Sequence, residues 1–285
     1  MAETPVLLLA GFGYVAEATA KRAAGEGWRV LASTRSTETA EAIAARGHEP
    51  VTADPACETG RAALRKAAGR AQAILLSAAP GEAGDPFAPA LQDLDFSRTW
   101  LGYLSTTGVY GDRNGGWAFE RDAPSPGQAR GVRRVEAEAG WARLGARLFR
   151  LSGIYGPGRS ALDKIRAGEM RVFDKPGHVF SRIHVDDIAA ALTAAMARPG
   201  AQGAFNLADD HPSSQAEVML GAAALLGAPA PEIITFDPEQ ASPMLASFYA
   251  ECRRVSNARA KAVLGWRPAY RSWREGLAAI VSAGA

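Results

Sequence analysis

Val6-Leu7-Leu8-Leu9-Ala10-Gly11-Phe12-Gly13-Tyr14-Val15-Ala16 is the stretch that decides the fold. Its apolar start, Val6–Ala10, has no polar alternation, which predicts a short strand buried on both faces of a parallel sheet. Gly11-x-Gly13-x-x-Ala16 follows at once and opens a helical pattern over Val15–Ala24, stopped by Gly25 and Gly27. Each small residue then has a physical task. Gly11 permits the tight turn, Gly13 lets the backbone approach a pyrophosphate, and Ala16 allows close helix–strand packing. The helix start presents free N–H groups to the anion. Gly11, Phe12, Gly13, Tyr14 and Val15 are therefore expected to cradle the pyrophosphate of a dinucleotide. The competing reading is a Gly-rich turn in some other α/β protein.

Working outward, short apolar runs alternate with helical patterns. Strands are expected at Arg29–Ser33, Pro50–Ala53, Ala73–Ser77 and Trp100–Thr106, with helices at Thr37–Arg46 and Arg61–Ala68 between them. This alternation predicts a parallel sheet with helices on both faces. Beyond it, Val132–Leu144 and Asp186–Ala197 read as helices, and Arg147–Leu151 and Ala204–Leu207 as strands. Ser214 with Glu217, and Ser272 with Glu275, have the spacing of capping boxes. The expected class is α/β: a Rossmann-type doubly wound parallel sheet with a small C-terminal α/β substrate-binding region. Residues 1–155, joined by the strand near 204–207, would form the dinucleotide domain. Residues 156–285 would supply most of the smaller, interleaved region.

The end of the second strand discriminates between cofactors. An NAD site places Asp or Glu there, roughly 20 residues on, against the ribose 2′-hydroxyl. This chain has Thr34-Arg35-Ser36 instead. Arg35 suits a 2′-phosphate, with Thr34 and Ser36 as hydrogen-bond donors. NADP(H) is thus the preferred expectation and NAD(H) the second. Asp54, after the third strand, is a candidate acceptor from the adenine amino group, or a turn cap. Ser77, Ala78 and Ala79 after the fourth strand are small enough to admit the cofactor's ribose.

The 285 residues carry a net charge of +2, 47% hydrophobic and 22% charged residues. That composition suits a globular chain with a sizeable core and offers no field for nucleic acid or acidic membranes. Neither a basic–aromatic stripe nor an apolar run near the length of a membrane span appears. Val6–Ala10 with Ala18-Thr19-Ala20 mimics a secretory signal, but only Glu3 is charged ahead of it, so a basic start is missing. Cys57 and Cys252 lie far apart, outside any metal-ligand spacing. The expectation is a cytoplasmic protein acting on a small molecule, with oligomeric state left open.

Several motifs, taken in order, carry a family resemblance. They are Gly11–Ala16, Leu104-Ser105-Thr106-Thr107-Gly108-Val109-Tyr110-Gly111, and Arg150-Leu151-Ser152-Gly153-Ile154-Tyr155-Gly156-Pro157-Gly158. Ile183-His184-Val185-Asp186-Asp187-Ile188-Ala189, Phe205-Asn206-Leu207 and Leu264-Gly265-Trp266 follow. The chain resembles an extended short-chain dehydrogenase/reductase of the NAD-dependent epimerase/dehydratase type. The resemblance implies a Ser or Thr at the end of the fifth strand that orients substrate, here Thr106. It implies contact between Leu151 and the cofactor, and a role for Arg182 and Asn257 in binding substrate. It also implies a Tyr-x-x-x-Lys pair, with Tyr as acid/base. Here Arg130 and Arg134 align with those two positions, and between Gly111 and Ile154 there is no Tyr, Lys or His.

That departure leaves activity open. Arg stays protonated, so Arg130 is unsuited to shuttle a proton, while Arg134 can serve as a fixed cation. Both also suit a solvated helix face. One reading is NADP(H)-dependent redox chemistry on a small carbonyl or nucleotide-sugar-like substrate. The other is a non-catalytic NADP(H)-binding sensor or scaffold. Pro80–Trp100 is short and Pro-rich where the resemblance implies a long dimerisation helix. Arg253 and Arg254 are further candidates for the substrate pocket, and Tyr110 and Tyr155 for a replacement acid. Trp117, Trp141 and Trp273 are expected to pack. His184 is expected to pack beneath a helix capped by Asp186.

Overall fold

The apolar runs become the strands of one sheet. In a computed structural model describing residues 4–284, these are Val6–Ala10, Arg29–Thr34, Glu49–Thr52, Ala73–Leu76, Trp100–Thr106, Arg147–Leu151 and Ala204–Leu207. All pair in parallel, in the spatial order seventh, sixth, fifth, fourth, first, second, third. The chain order reverses between the first and fourth strands, which opens a crevice beyond their carboxyl ends.

Side-chain alternation within the first strand explains why helices cover both faces. Leu7 and Leu9 join one apolar cluster with Val15, Ala16 and Ala20 of helix Tyr14–Gly25 and Ile188 and Leu192 of helix Val185–Met196. Leu8 and Ala10 join another with Leu64 of helix Glu58–Ala68 and Trp141 of helix Ala129–Ala142. Successive residues of a strand point to opposite faces, so an uninterrupted apolar run needs two cores.

A smaller lobe follows the sixth strand. Helices Ala161–Arg166, Gln215–Leu225 and Trp273–Ser282 bury Leu162, Met219, Trp273 and Leu277 in a third cluster with Tyr155. Three short parallel pairs frame it: Gly153–Tyr155 with Arg182–His184, Arg171–Asp174 with Glu232–Thr235, and Trp117–Ala118 with Arg254–Val255. Among the described residues, no helix is long and apolar enough to cross a membrane.

Some local expectations are corrected. The helix expected over Val132–Leu144 runs Ala129–Ala142, which places Arg130 in its first turn. Ser214 accepts from the Glu217 N–H at 3.1 Å, but the Glu217 carboxylate pairs with Arg274 and does not close the box. Ser272 makes no capping bond; the reciprocal box forms at Ser160 and Asp163. Trp117 is exposed, whereas Trp141 and Trp273 are buried. Between Pro80 and Trp100 the only described helix is the single turn Ala88–Leu91.

A buried polar network spans the sheet. Arg150 pairs with Glu138 through two hydrogen bonds, at 3.0 and 2.7 Å. Ser105 donates to Glu138 at 2.5 Å. Arg150 also donates to the Tyr110 hydroxyl at 2.9 Å, and Tyr110 donates to Asn206 at 2.7 Å. Removing one partner of a buried ion pair strands the other charge, at about 3–5 kcal/mol. Glu138→Ala is therefore expected to destabilise the fold by about that amount in urea unfolding. A loss below about 1 kcal/mol would show that the network is dispensable.

Candidate functional site

The Gly-rich turn has the geometry that its residues predict. Gly11 has φ +86°, a left-handed conformation that disfavours any Cβ, and a Cβ there would lie 3.0 Å from Ser77 Oγ. The turn is clamped from both neighbouring strands. The Gly11 N–H donates to Ser33 Oγ at 2.8 Å, and the Ser77 hydroxyl reaches the carbonyls of Gly11 at 2.7 Å and Ala10 at 3.0 Å. Gly13 is the N-cap of helix Tyr14–Gly25; it supplies no side-chain cap, and a Cβ placed on it would meet nothing within 4 Å. Open space therefore lies over uncapped first-turn N–H groups, which fits a pyrophosphate. Val15 is buried in this first turn, and Phe12 packs against the core.

Tyr14 ties this loop to the Gly156–Arg159 segment. Its hydroxyl donates to the Pro157 carbonyl at 2.9 Å, and the Arg159 guanidinium lies 5.7 Å from its ring centroid. A Cβ on Gly156 would sit 2.4 Å from the Tyr14 oxygen, so the approach requires glycine. Burial and the Asp186 carboxylate push the Tyr14 phenol up to about 12.

At the second strand end, Thr34 Oγ1 accepts from the Ser36 N–H at 3.1 Å, and Ser36 Oγ accepts from the Thr39 N–H at 3.2 Å. Both hydroxyls retain a proton to donate. Arg35 is exposed and has no hydrogen-bond or ion-pair partner among the described residues. Asp54 takes the turn-cap role, accepting from the Ala56 N–H at 3.0 Å. Ala78 is half-buried and Ala79 exposed beyond the fourth strand.

A cavity of about 810 Å³ opens at the carboxyl ends of the fifth and sixth strands, between the sheet and the smaller lobe. Thr106 and Leu151, paired across those strands, are on its wall with Arg130, Arg182 and Arg253. Thr106 Oγ1 accepts from the Gly108 N–H at 3.1 Å, leaving its own proton free to donate. Arg130 is exposed at the wall and has no ion-pair partner among the described residues. Arg134 does not lie on a solvated face: it donates to the Tyr103 hydroxyl at 2.9 Å and the Leu104 carbonyl at 2.8 Å. Arg253 pairs with Glu251 at 2.8 Å, whereas Arg254 turns away to the Gly115 carbonyl.

Three candidates are placed differently from expectation. Asn257 is outside the cavity wall; its amide donates to the Ala208 carbonyl and Asp210 carboxylate, each at 2.8 Å. His184, not Asp186, caps helix Val185–Met196, its Nδ1 accepting from the Asp186 N–H at 3.2 Å. Tyr110 is a poor acid, because its hydroxyl is held by Arg150 and Asn206 and burial pushes its phenol up. Tyr155 does reach the cavity, and burial with nearby Asp209 pushes its phenol far up.

Sequence reading missed Ser152, Arg159, Phe180 and Phe248, which all line the cavity. Ser152 carries a buried hydroxyl with no hydrogen-bond partner. Its signal was its place directly after the sixth strand, at the same sheet edge as Thr106. Phe248 had none, since helix Pro243–Tyr249 reaches the site from far along the chain.

Asp209, next to the cavity, bears on pH dependence. Burial pushes its carboxyl up to about 7, against the pull of the His211 N–H and Arg182. The folded protein then holds a proton that the unfolded chain, near its ordinary 3.8, has released. That contribution to stability is complete at low pH and is lost as pH rises through about 7. Asp187, raised to about 6 by burial, acts in the same direction. Asp209→Asn is expected to flatten part of the fall in urea midpoint between pH 4.5 and 7.5, a window of roughly this shift. An unchanged slope would exclude the buried carboxyl as its source.

No protein-family model matches the chain. A solved structure of a functionally unknown conserved protein from Silicibacter pomeroyi is 42% identical, covering 98% of this chain and 99% of that one, with a TM-score of 0.89. A Methylobacillus flagellatus structure, provisionally designated an NAD-dependent epimerase/dehydratase, is 24% identical over 99% of each chain, TM-score 0.80. The dTDP-glucose 4,6-dehydratase of Bacillus anthracis, solved with NAD, is 17% identical over 98% of this chain and 96% of that one, TM-score 0.77. Among curated proteins, the 3-diazoavenalumate denitrifying reductase of a Streptomyces species is 34% identical over 170 residues. That match covers 55% of each, so the chain spans about half the length of this relative. The chain thus belongs to one family with the Silicibacter pomeroyi protein, and it carries the extended short-chain dehydrogenase/reductase fold of the NAD-dependent epimerase/dehydratases.

Proposed function

We propose that the protein is an NADP(H)-dependent reductase of a small molecule bound beside the nicotinamide. The observation that carries this reading is the cavity at Thr106 and Leu151. The cavity runs on past these strand ends to Phe180, Arg182 and Phe248, and a sensor or scaffold that only binds the dinucleotide needs no space there. The reductase relative from Streptomyces supports the reductive direction.

The residues divide the work. Gly11–Val15 would hold the pyrophosphate on the helix N–H groups, and Arg35, Thr34 and Ser36 the 2′-phosphate. Ser77, Ala78 and Ala79 would admit the cofactor's ribose. When bound, the nicotinamide would supply a hydride to the substrate carbon. Thr106 would orient the accepting oxygen through its free proton, and a solvent proton would complete a carbonyl reduction, because no Tyr, Lys or His lies between Gly111 and Ile154. Arg134, fixed by Tyr103 and Leu104, would contribute a constant positive charge at these strand ends.

Two measurements test the proposal. NADPH is expected to bind more tightly than NADH by about tenfold or more, and Arg35→Ala to remove the difference. Equal wild-type affinities would defeat the NADP assignment. Across a library of carbonyl substrates, Thr106→Val is expected to lower kcat/KM by about tenfold or more for any substrate found. Tight cofactor binding with no turnover of any substrate would favour the sensor reading.

A further inference from the structure

The cavity also bears on what class of molecule it admits. This inference rests on the reading above, that substrate binds here. Arg182 is 8% exposed on the cavity wall. Its hydrogen bonds go to the carbonyls of Phe180, Ser213 and Ser214 and to Gln215 Oε1, at 2.9 to 3.4 Å. All four are neutral oxygens. Asp209 and Glu217 offset part of its charge from beyond ion-pair distance, and no carboxylate contacts it. A buried cation without a contacting carboxylate is costly unless a ligand supplies the anion.

An aromatic wall adjoins this charge. The Arg182 guanidinium lies 5.6 Å from the Phe180 ring centroid, and Phe180 stacks on Phe248 at 4.5 Å and 25°. Phe248 is 47% exposed, an unusual state for a phenylalanine on a cavity wall. Several polar side chains beside this aromatic wall are engaged internally. Ser160 binds Asp163, Ser181 accepts from the Val255 N–H, Ser247 donates to Gln128, and Gln215 accepts from Arg182. Ser152 keeps the one buried hydroxyl on this wall without a partner.

We infer that the substrate is a planar aromatic or conjugated monocarboxylate, its carboxylate facing Arg182 and its ring against Phe180 and Phe248. A carboxylate a few bonds from a ring would balance the Arg182 charge, which no carboxylate contacts, and cover the apolar wall.

Isothermal titration of the full chain, cofactor-free and NADP⁺-loaded, tests this with four probes: trans-cinnamate, cinnamyl alcohol, hexanoate and UDP-glucose. Cinnamate is expected to bind roughly tenfold or more tightly than each of the other three. Arg182→Gln is expected to bring cinnamate down to the affinity of cinnamyl alcohol. Phe248→Ala, at an exposed position, is expected to weaken cinnamate about fivefold and leave NADPH unchanged. UDP-glucose binding more tightly than cinnamate, or equal wild-type binding of cinnamate and cinnamyl alcohol, would overturn the inference. These comparisons hold even if Arg182→Gln fails to fold. Binding of NADPH but not cinnamate would defeat the substrate class alone. Binding of cinnamate but not NADPH would defeat the cofactor reading and leave the anion site standing.

Discussion

The Glu138–Arg150 ion pair fixes the part of the molecule where the site is built. It joins helix Ala129–Ala142 to the sixth strand, and through Ser105 it reaches the fifth. Thr106 follows Ser105 and Leu151 follows Arg150, so both cavity-wall residues are direct neighbours of the clamp. The same arginine orders the Tyr110 turn, and Tyr110 reaches Asn206 on the seventh strand. In a low-dielectric interior such a network is stable only when every member is satisfied, and that requirement sets one arrangement of three strands, a helix and a turn.

A second constraint is close backbone approach. Gly11 and Gly156 are glycines because Ser77 Oγ and Tyr14 Oη occupy the space a Cβ would need. Together they bring the Gly-rich turn against the Gly156–Arg159 segment, which leads directly into the smaller lobe. Charge is then distributed by which arginines are matched. Arg150 and Arg253 are neutralised by carboxylates, and Arg134 is spent on backbone and phenol oxygens. Arg182 has only neutral acceptors, and Arg35 and Arg130 have no described partner. On the proposed reading, Arg35 would meet the dinucleotide phosphate and Arg182 the substrate's negative charge.

Much of the sheet was legible because its signal is local. Apolar runs such as Val6–Ala10 and Trp100–Thr106 admit no other placement than a strand with a core on each side. The smaller lobe was less legible, because its helices are short and its strands of two to four residues are stabilised by partners distant in sequence. Capping spacing misled at Ser214 and Ser272, since Glu217 found Arg274 and Glu275 found the Arg271 N–H. His184 became a cap because its ring packs between Tyr155 and Tyr270, which fixes Nδ1 toward the helix start.

By itself, the sequence determined the parallel sheet, the left-handed Gly11 turn and the lack of Tyr, Lys or His between Gly111 and Ile154. These depend on residue identity and on contacts with near neighbours. Tertiary structure alone decided which candidates share a cavity. It drew Arg182, Phe180 and Phe248 to Thr106, turned Asn257 toward Asp210, and left the Ser152 hydroxyl unpaired. The physical reason is that a side chain's function depends on the charges and hydrogen-bond partners left to it after packing, and those are settled between elements far apart in the chain.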